Sequence, residues 1–487
     1  MAYQRTRSTH RLCRGTSGGQ AMSDRAPRHD SNVLGLGKGR KLLFYAYDTV
    51  HGEEPWVSDG TSAGTHLLQD ANIPNPPRLQ APRGFFPFDG HALFLAEDGL
   101  HGIEPWITDG TSAGTHLLKD IWPGPRIPLY MGDGPGGSSP GAFFALRDGR
   151  VLFNADDGTH GRELWVTDGT GRGTTLLKDL NPGAGSGTPS GFVAIGHGKV
   201  LFGAKDGTHG RELWVTDGTG RGTRLLKDIN GGAAASDPDG FFRLDRDHVL
   251  FAATDGTHGR ELWGSDGTAH GTHLVRDINP SNPGSSSPEG FCFLGCGKAV
   301  FRADDGRHGA ELWITDGTAA GTRLLKDINP GGAGSTPSGL VQLGQGRVLF
   351  TADDGVHGRE FWLTDGTATG TRLLKDTQPG PGGVYNSAIT ALGTGRALFV
   401  ANNGEHPSVP WVTDGTTAGT HALGDVIIDF GTFLPVGHGR ALFTGYEAAT
   451  GVQPWITDGT QAGTHMANDL IPLSGQASGA NTFAWLS

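Results

Sequence analysis

The chain has 487 residues, 39 basic against 50 acidic side chains, and a formal net charge of −11. That balance excludes a general nucleic-acid binder, which needs a basic face to displace phosphate counterions. The 83 glycines and 28 prolines argue against a mainly helical chain, and three cysteines (Cys13, Cys292 and Cys296) are too few for a disulfide framework.

Residues 1–30 carry Arg5, Arg7, Arg11, Arg14, Arg25 and Arg28 against Asp24 and Asp30, with no apolar core of a signal peptide. They read as a disordered leader, with Met22 a possible true start. No later stretch approaches 18 apolar residues, so no membrane-crossing helix is expected. Cys292 and Cys296 read as two small apolar residues.

From residue 31 onward one unit of about 49 residues is written nine times. Its mark is a tryptophan three residues before Asp-Gly-Thr. The tryptophans are Trp56, Trp106, Trp165, Trp214, Trp263, Trp313, Trp362, Trp411 and Trp455. The aspartates are Asp59, Asp109, Asp168, Asp217, Asp266, Asp316, Asp365, Asp414 and Asp458. Each unit holds four apolar runs of four to six residues bounded by Gly or Asp-Gly, the pattern of strands joined by tight turns. In the fourth unit these are strand a (Phe192–Ile195), b (Val200–Ala204), c (Glu212–Thr216) and d (Arg224–Asp228). In strand c, Leu213 and Val215 point one way and Trp214 the other, so both faces of the sheet need cover.

Three tight turns followed by one long link, as in 179–191 or 327–339, give the connectivity of a propeller blade. The fold class expected is therefore all-β: a closed β-propeller of nine four-stranded blades, forming one domain over residues 31–487. Val33–Leu36 makes a poor strand a for the first unit, and Thr482–Leu486 copies a strand a after the ninth. The simplest closure docks that C-terminal strand beside the first unit, hiding an open edge.

The stretches 163–170, 212–219 and 311–318 resemble the bacterial ELWxxDGT repeat family, over about residues 40–470. The resemblance implies a bacterial protein, often secreted or surface-associated, and implies no reaction. Units one, two, eight and nine depart from the motif, with Pro55, Pro105, Pro410 and Pro454 in place of Leu. Val409 and Gln453 replace the Glu in units eight and nine, and Gly264 follows Trp263 in unit five.

The b–c loop repeats Asp-Asp-Gly-x-His-Gly-x-Glu, as at Asp156, Asp157, His160 and Glu163, with equivalent histidines His51, His101, His209, His258, His308 and His357. Asp before Gly caps tight turns, so the structural reading leads and no cofactor is expected. The alternative is a weak calcium site per loop from Asp156, Asp157, Glu163 and their equivalents, short of the six to eight oxygens calcium prefers.

A single functional site has to lie where the repeats differ. The largest difference is an insertion between units two and three carrying Trp122, Arg126, Tyr130 and Met131, residue types enriched in binding hot spots. The second is unit eight, with Asn402, Asn403, Glu405 and His406 and a shortened crossing over 424–434.

No P-loop, dinucleotide fingerprint, nucleophile elbow or zinc-protease motif appears. The leading expectation is a monomeric, non-enzymatic scaffold or binding protein with an unidentified protein or glycan partner. The alternatives are a multivalent lectin-like propeller, which needs exposed repeat tryptophans, and a propeller hydrolase or lyase with one asymmetric site.

Overall fold

Each repeat alternates β-branched, aromatic and leucine runs with glycine turns, and each run is a strand. The computed structural model describes residues 33–36, 41–48, 52–59, 64–69, 83–98, 100–123, 137–281, 284–384, 389–393, 395–428, 433–448 and 451–467. They contain 36 strands and no helix. The strands form nine separate four-stranded sheets, each an antiparallel a-b-c-d meander from one repeat, arranged as a β-propeller. Blade 4 comprises Ser190–Ile195, Lys199–Lys205, Arg211–Thr216 and Arg224–Lys227, within two residues of the boundaries expected from sequence.

The core lies between blades. Trp214 packs with Leu152, Leu164 and Leu180 of blade 3, while its neighbours Leu213 and Val215 pack with Phe251 and Trp263 of blade 5. Nine such clusters join successive blades. The ninth closes the ring by setting Leu42 and Phe44 of blade 1 against Leu442 of blade 9. Leu442 is the one fully covered member of this cluster among the described residues. Eight of the nine repeat tryptophans are only 4–8% exposed, and Trp56, beside the seam, is half-buried.

The innermost strand of blade 1 is Val33–Leu36, which pairs with Lys41–Asp48. The expected closing strand Thr482–Leu486 and the leader 1–30 lie outside the described residues. Cys292 is buried as expected, whereas Cys296 is exposed on an a–b turn.

The proline substitutions have a structural effect that the repeat pattern alone did not disclose. Where Leu precedes Trp, strand d is four residues long and Lys227 pairs back to Leu213. Where Pro stands there, strand d shrinks to two residues: His66–Leu67, His116–Leu117, His421–Ala422 and His465–Met466. Proline has no N–H to give the ladder. Its carbonyl still accepts from Leu68, Leu118 and Leu423 in blades 1, 2 and 8. The chain therefore leaves the sheet early in those blades.

Because Trp313 is buried against the preceding blade, Trp313→Ala should destabilise the protein by about 3–5 kcal/mol. A urea titration followed by circular dichroism checks this; a loss below about 1 kcal/mol would contradict the wedge role.

Candidate functional site

Most polar residues of the repeat are engaged within the blade that carries them. In the c–d turn of blade 3, Asp168 Oδ1 accepts from the N–H and hydroxyl of Thr170 at 2.9 and 2.7 Å. The Thr170 hydroxyl oxygen accepts from Gly173 N–H at 2.9 Å, and the Thr174 hydroxyl donates to the Thr170 carbonyl at 2.7 Å. The Asp168 carboxylate lies so close over Gly173 that a Cβ there would fall 2.0 Å from Oδ1, which accounts for the glycine. The hydroxyl of Thr170 and its backbone N–H hold the Asp168 carboxyl below its ordinary range.

The b–c turn is also a closed network. Asp157 Oδ1 accepts the N–H groups of Thr159 and His160 at 2.9 and 2.8 Å, and Oδ2 meets His160 Nδ1 at 2.7 Å. The same Asp–His pair recurs at 2.7–2.8 Å for His101, His209, His258, His308 and His357. Burial pushes the Asp157 carboxyl up, but the two N–H groups and the ring outweigh it and hold it low; the same contact raises His160.

The motif Glu is a clasp. Glu212 is fully buried and accepts from Ile229 N–H, Ser236 N–H and the Ser236 hydroxyl, each at 2.7 Å. It thereby ties both ends of the d-to-a crossing to strand c. Glu163 does the same with Leu180 and Gly187, and Glu104 with Ile121 and Ser138. Burial pushes Glu104 and Glu163 up to about 7. Asp156 caps Gly158, Asp157 caps Thr159 and His160, and Glu163 clasps the crossing. The two aspartates thus serve one turn and the glutamate serves the crossing.

Of the insertion residues, Trp122 alone is described; Arg126, Tyr130 and Met131 lie outside the described residues. Trp122 is half-buried, and its ring covers Gly158 in the next blade's b–c turn, where a Cβ would meet Nε1 at 2.3 Å. Asn181, Asn230 and Asn329 cover Gly207, Gly256 and Gly355 in the same way. Trp122 therefore occupies a packing position that asparagine fills elsewhere.

Blades 8 and 9 differ. A cleft of about 490 Å³ opens between them, lined by His406, Leu423–Ile427, Tyr446–Ala448, Trp455 and Thr464. Asn403 keeps the turn, accepting from Glu405 and His406 N–H at 3.0 and 2.8 Å, but its amide donates to Asp425 at 2.9 Å. His406 has thus lost the carboxylate that its counterparts hold. Glu405, His406 and Asp425 bring one donor atom each within 4.8 Å of the others, the one such group of His, Cys, Asp and Glu among the described residues. Three donors of this mixed type suit a divalent transition metal by chemistry. Asp425 and Glu447 make the cleft acidic, and the Tyr446 ring is 41% exposed at its rim.

Gly424 lines the cleft at a position where most blades carry a long cationic side chain. In units two to seven the residue before the Asp that follows strand d is Lys or Arg, and in five of them it reaches the next blade. Lys119, Lys227, Arg276, Lys326 and Lys375 donate to the carbonyls of Thr174, Thr272, Thr322, Thr371 and Thr420 at 2.6–3.1 Å. Lys326 and Lys375 also lie over the rings of Trp362 and Trp411, at 5.8 and 5.3 Å from the centroids. Blade 8 has Gly424 at this position, at φ +153°, and the corresponding Thr464 and Trp455 face the cleft instead. The signal was present in the sequence as Gly-Asp where units two to seven read Lys-Asp or Arg-Asp; its meaning required knowing where that side chain goes.

No family model and no curated protein matches the chain. Among solved structures, it is similar to a puromycin hydrolase at 17% identity and TM-score 0.35, over 67% of this chain and 53% of that one. A prolyl endopeptidase structure aligns at 11% identity and TM-score 0.36, over 76% and 55%. A Mycobacterium tuberculosis puromycin-hydrolyzing peptidase aligns at 14% and 0.36, over 69% and 53%. The chain spans about half the length of these structures, and at TM-scores below 0.5 the likeness carries no argument about activity or site.

The electrostatics set a pH profile. Glu104 and Glu163 are harder to ionise folded than unfolded, so the stability they lend is complete below their ordinary value of 4.5 and is lost as pH rises through about 7. The raised histidines, such as His160, act in the same direction: their contribution is complete below 6.5 and fades above it. The lowered aspartates act oppositely, and their contribution falls away below pH 3.8. The melting temperature should therefore rise from pH 8 to pH 5 and fall below pH 4. Replacing these two clasps (E104Q, E163Q) should make the rise between pH 5 and 8 shallower, the other clasps keeping the remainder; an unchanged slope in a scanning-calorimetry series would refute this origin.

Proposed function

We propose that this protein is a non-enzymatic binding scaffold: a propeller disc that holds one ligand, in the cleft between blades 8 and 9. The observation that carries this reading is the coincidence of the cleft with the breaks in the repeat. Gly424, Asn402, Asn403 and Val409 stand where regular blades carry Lys, Asp, Asp and Glu. The same residue types elsewhere are consumed by capping, clasping and bridging.

Eight repeat tryptophans are buried between blades, which weighs against nine equivalent sugar pockets. The resemblance to ELWxxDGT proteins adds the expectation of a bacterial, surface-associated setting. A glycan array, with and without calcium, followed by calorimetric titration of any hit, tests the reading. It predicts at most one ligand per chain, weakened by Tyr446→Ala at the exposed rim. Binding of about nine ligands per chain would instead establish the lectin alternative, and turnover of a peptide or ester panel would establish the hydrolase.

A further inference from the structure

We propose that the cleft between blades 8 and 9 receives a lysine side chain from a partner polypeptide. This inference rests on the single-cleft reading above and names the chemistry of its ligand. The template is internal to the molecule. At five blade junctions the chain's own Lys or Arg crosses to the next blade and donates to a threonine carbonyl at 2.6–3.1 Å. At two of them the ammonium also lies over the receiving blade's tryptophan, where the ring's quadrupole attracts a cation.

The receiving half of that arrangement persists in blade 9. Thr464 follows Gly463 as Thr371 follows Gly370, and Thr464 and Trp455 both line the cleft. The donating half is gone, because Gly424 has no side chain and a Cβ built on it meets nothing within 4 Å. The vacated space has apolar walls for an aliphatic stem, Leu423 and Val426, and two carboxylates for its charged end, Asp425 and Glu447. A cationic end suits these two carboxylates, of which Asp425 also accepts from the Asn403 amide at 2.9 Å. The segment that follows blade 9, residues 468–487, contains no Lys or Arg, so it has no cation to supply.

The test uses the full chain labelled with 5-fluorotryptophan, with the Trp455 signal assigned by Trp455→Phe. The probes are Nα-acetyl-lysine methylamide, its norleucine counterpart, its Nε-acetylated form, and n-butylamine. The lysine probe should shift the Trp455 fluorine resonance saturably, with the norleucine and Nε-acetyl probes at least about tenfold weaker. The paired variant Asp425→Asn, Glu447→Gln should weaken the lysine probe about tenfold while leaving the urea midpoint unchanged. Gly424→Lys should abolish the shift by refilling the space from within. If the strained φ at 424 unfolds that variant, the charge-neutralised pair decides between the outcomes.

Equal binding of the lysine and norleucine probes, or undiminished binding by the charge-neutralised pair, overturns the inference while leaving the single-cleft reading standing. n-Butylamine binding as tightly as the lysine probe overturns the assignment to a polypeptide lysine in favour of a free amine. Shifts spread evenly over the buried tryptophans, or no shift of Trp455 with any probe, overturn the inference; the glycan and stoichiometry measurements then decide the single-cleft reading separately.

Discussion

Every blade of this protein has two apolar faces and can cover neither by itself. The tryptophan of strand c resolves this at eight junctions by lying against the preceding blade, as Trp214 lies against Leu180 and Trp263 against Leu226 and Ile229. Each crossing must be held in place to serve as that surface. The buried glutamate does so by accepting N–H groups from both ends of the crossing. Holding a carboxyl away from water raises its pKa, as burial of Glu104 and Glu163 shows, and the cost is tolerated because otherwise those N–H groups would be buried without partners. Tryptophan and glutamate are thus two parts of one device: one residue needs the crossing as a wall, and the next-but-one residue along the strand positions the following wall.

A ring built this way leaves little polar chemistry over. The Asp-Gly-Thr turn, the Asp–His turn and the cationic bridge each close on the chain's own groups. Chemistry therefore becomes available where a member of these sets is withdrawn. Blade 8 withdraws several together: Pro410 ends strand d early, Gly424 removes the bridge, Asn403 releases His406, and Val409 removes the clasp. The resulting cleft is a consequence of subtraction from a regular frame, which is why its walls still show the form of the group that is missing.

Much of this was legible in the residues. The strand boundaries of blade 4, the opposed facing of Leu213 and Trp214, the burial of the tryptophans and the nine-blade count follow from periodicity and turn chemistry, which act locally. Other features were not. Trp122 has the character of a binding residue by type, yet its ring covers Gly158 as asparagine side chains cover the equivalent glycines. Asp156, Asp157 and Glu163 are close along the chain, yet the turn aims them at different N–H groups. His406 had no visible partner because Asp425 is 19 positions away, in the crossing beyond strand d.

By itself, the sequence determined the repeating unit, its four strands and its need for neighbours on both faces, because each depends on residues within one repeat of about 49 residues. The tertiary structure alone decided how blade 9 meets blade 1, what the motif glutamate holds, and that a glycine in blade 8 opens a cleft against blade 9. Those are contacts between different repeats. Their geometry is set by the angle at which whole sheets pack, and no pattern within a single period encodes it.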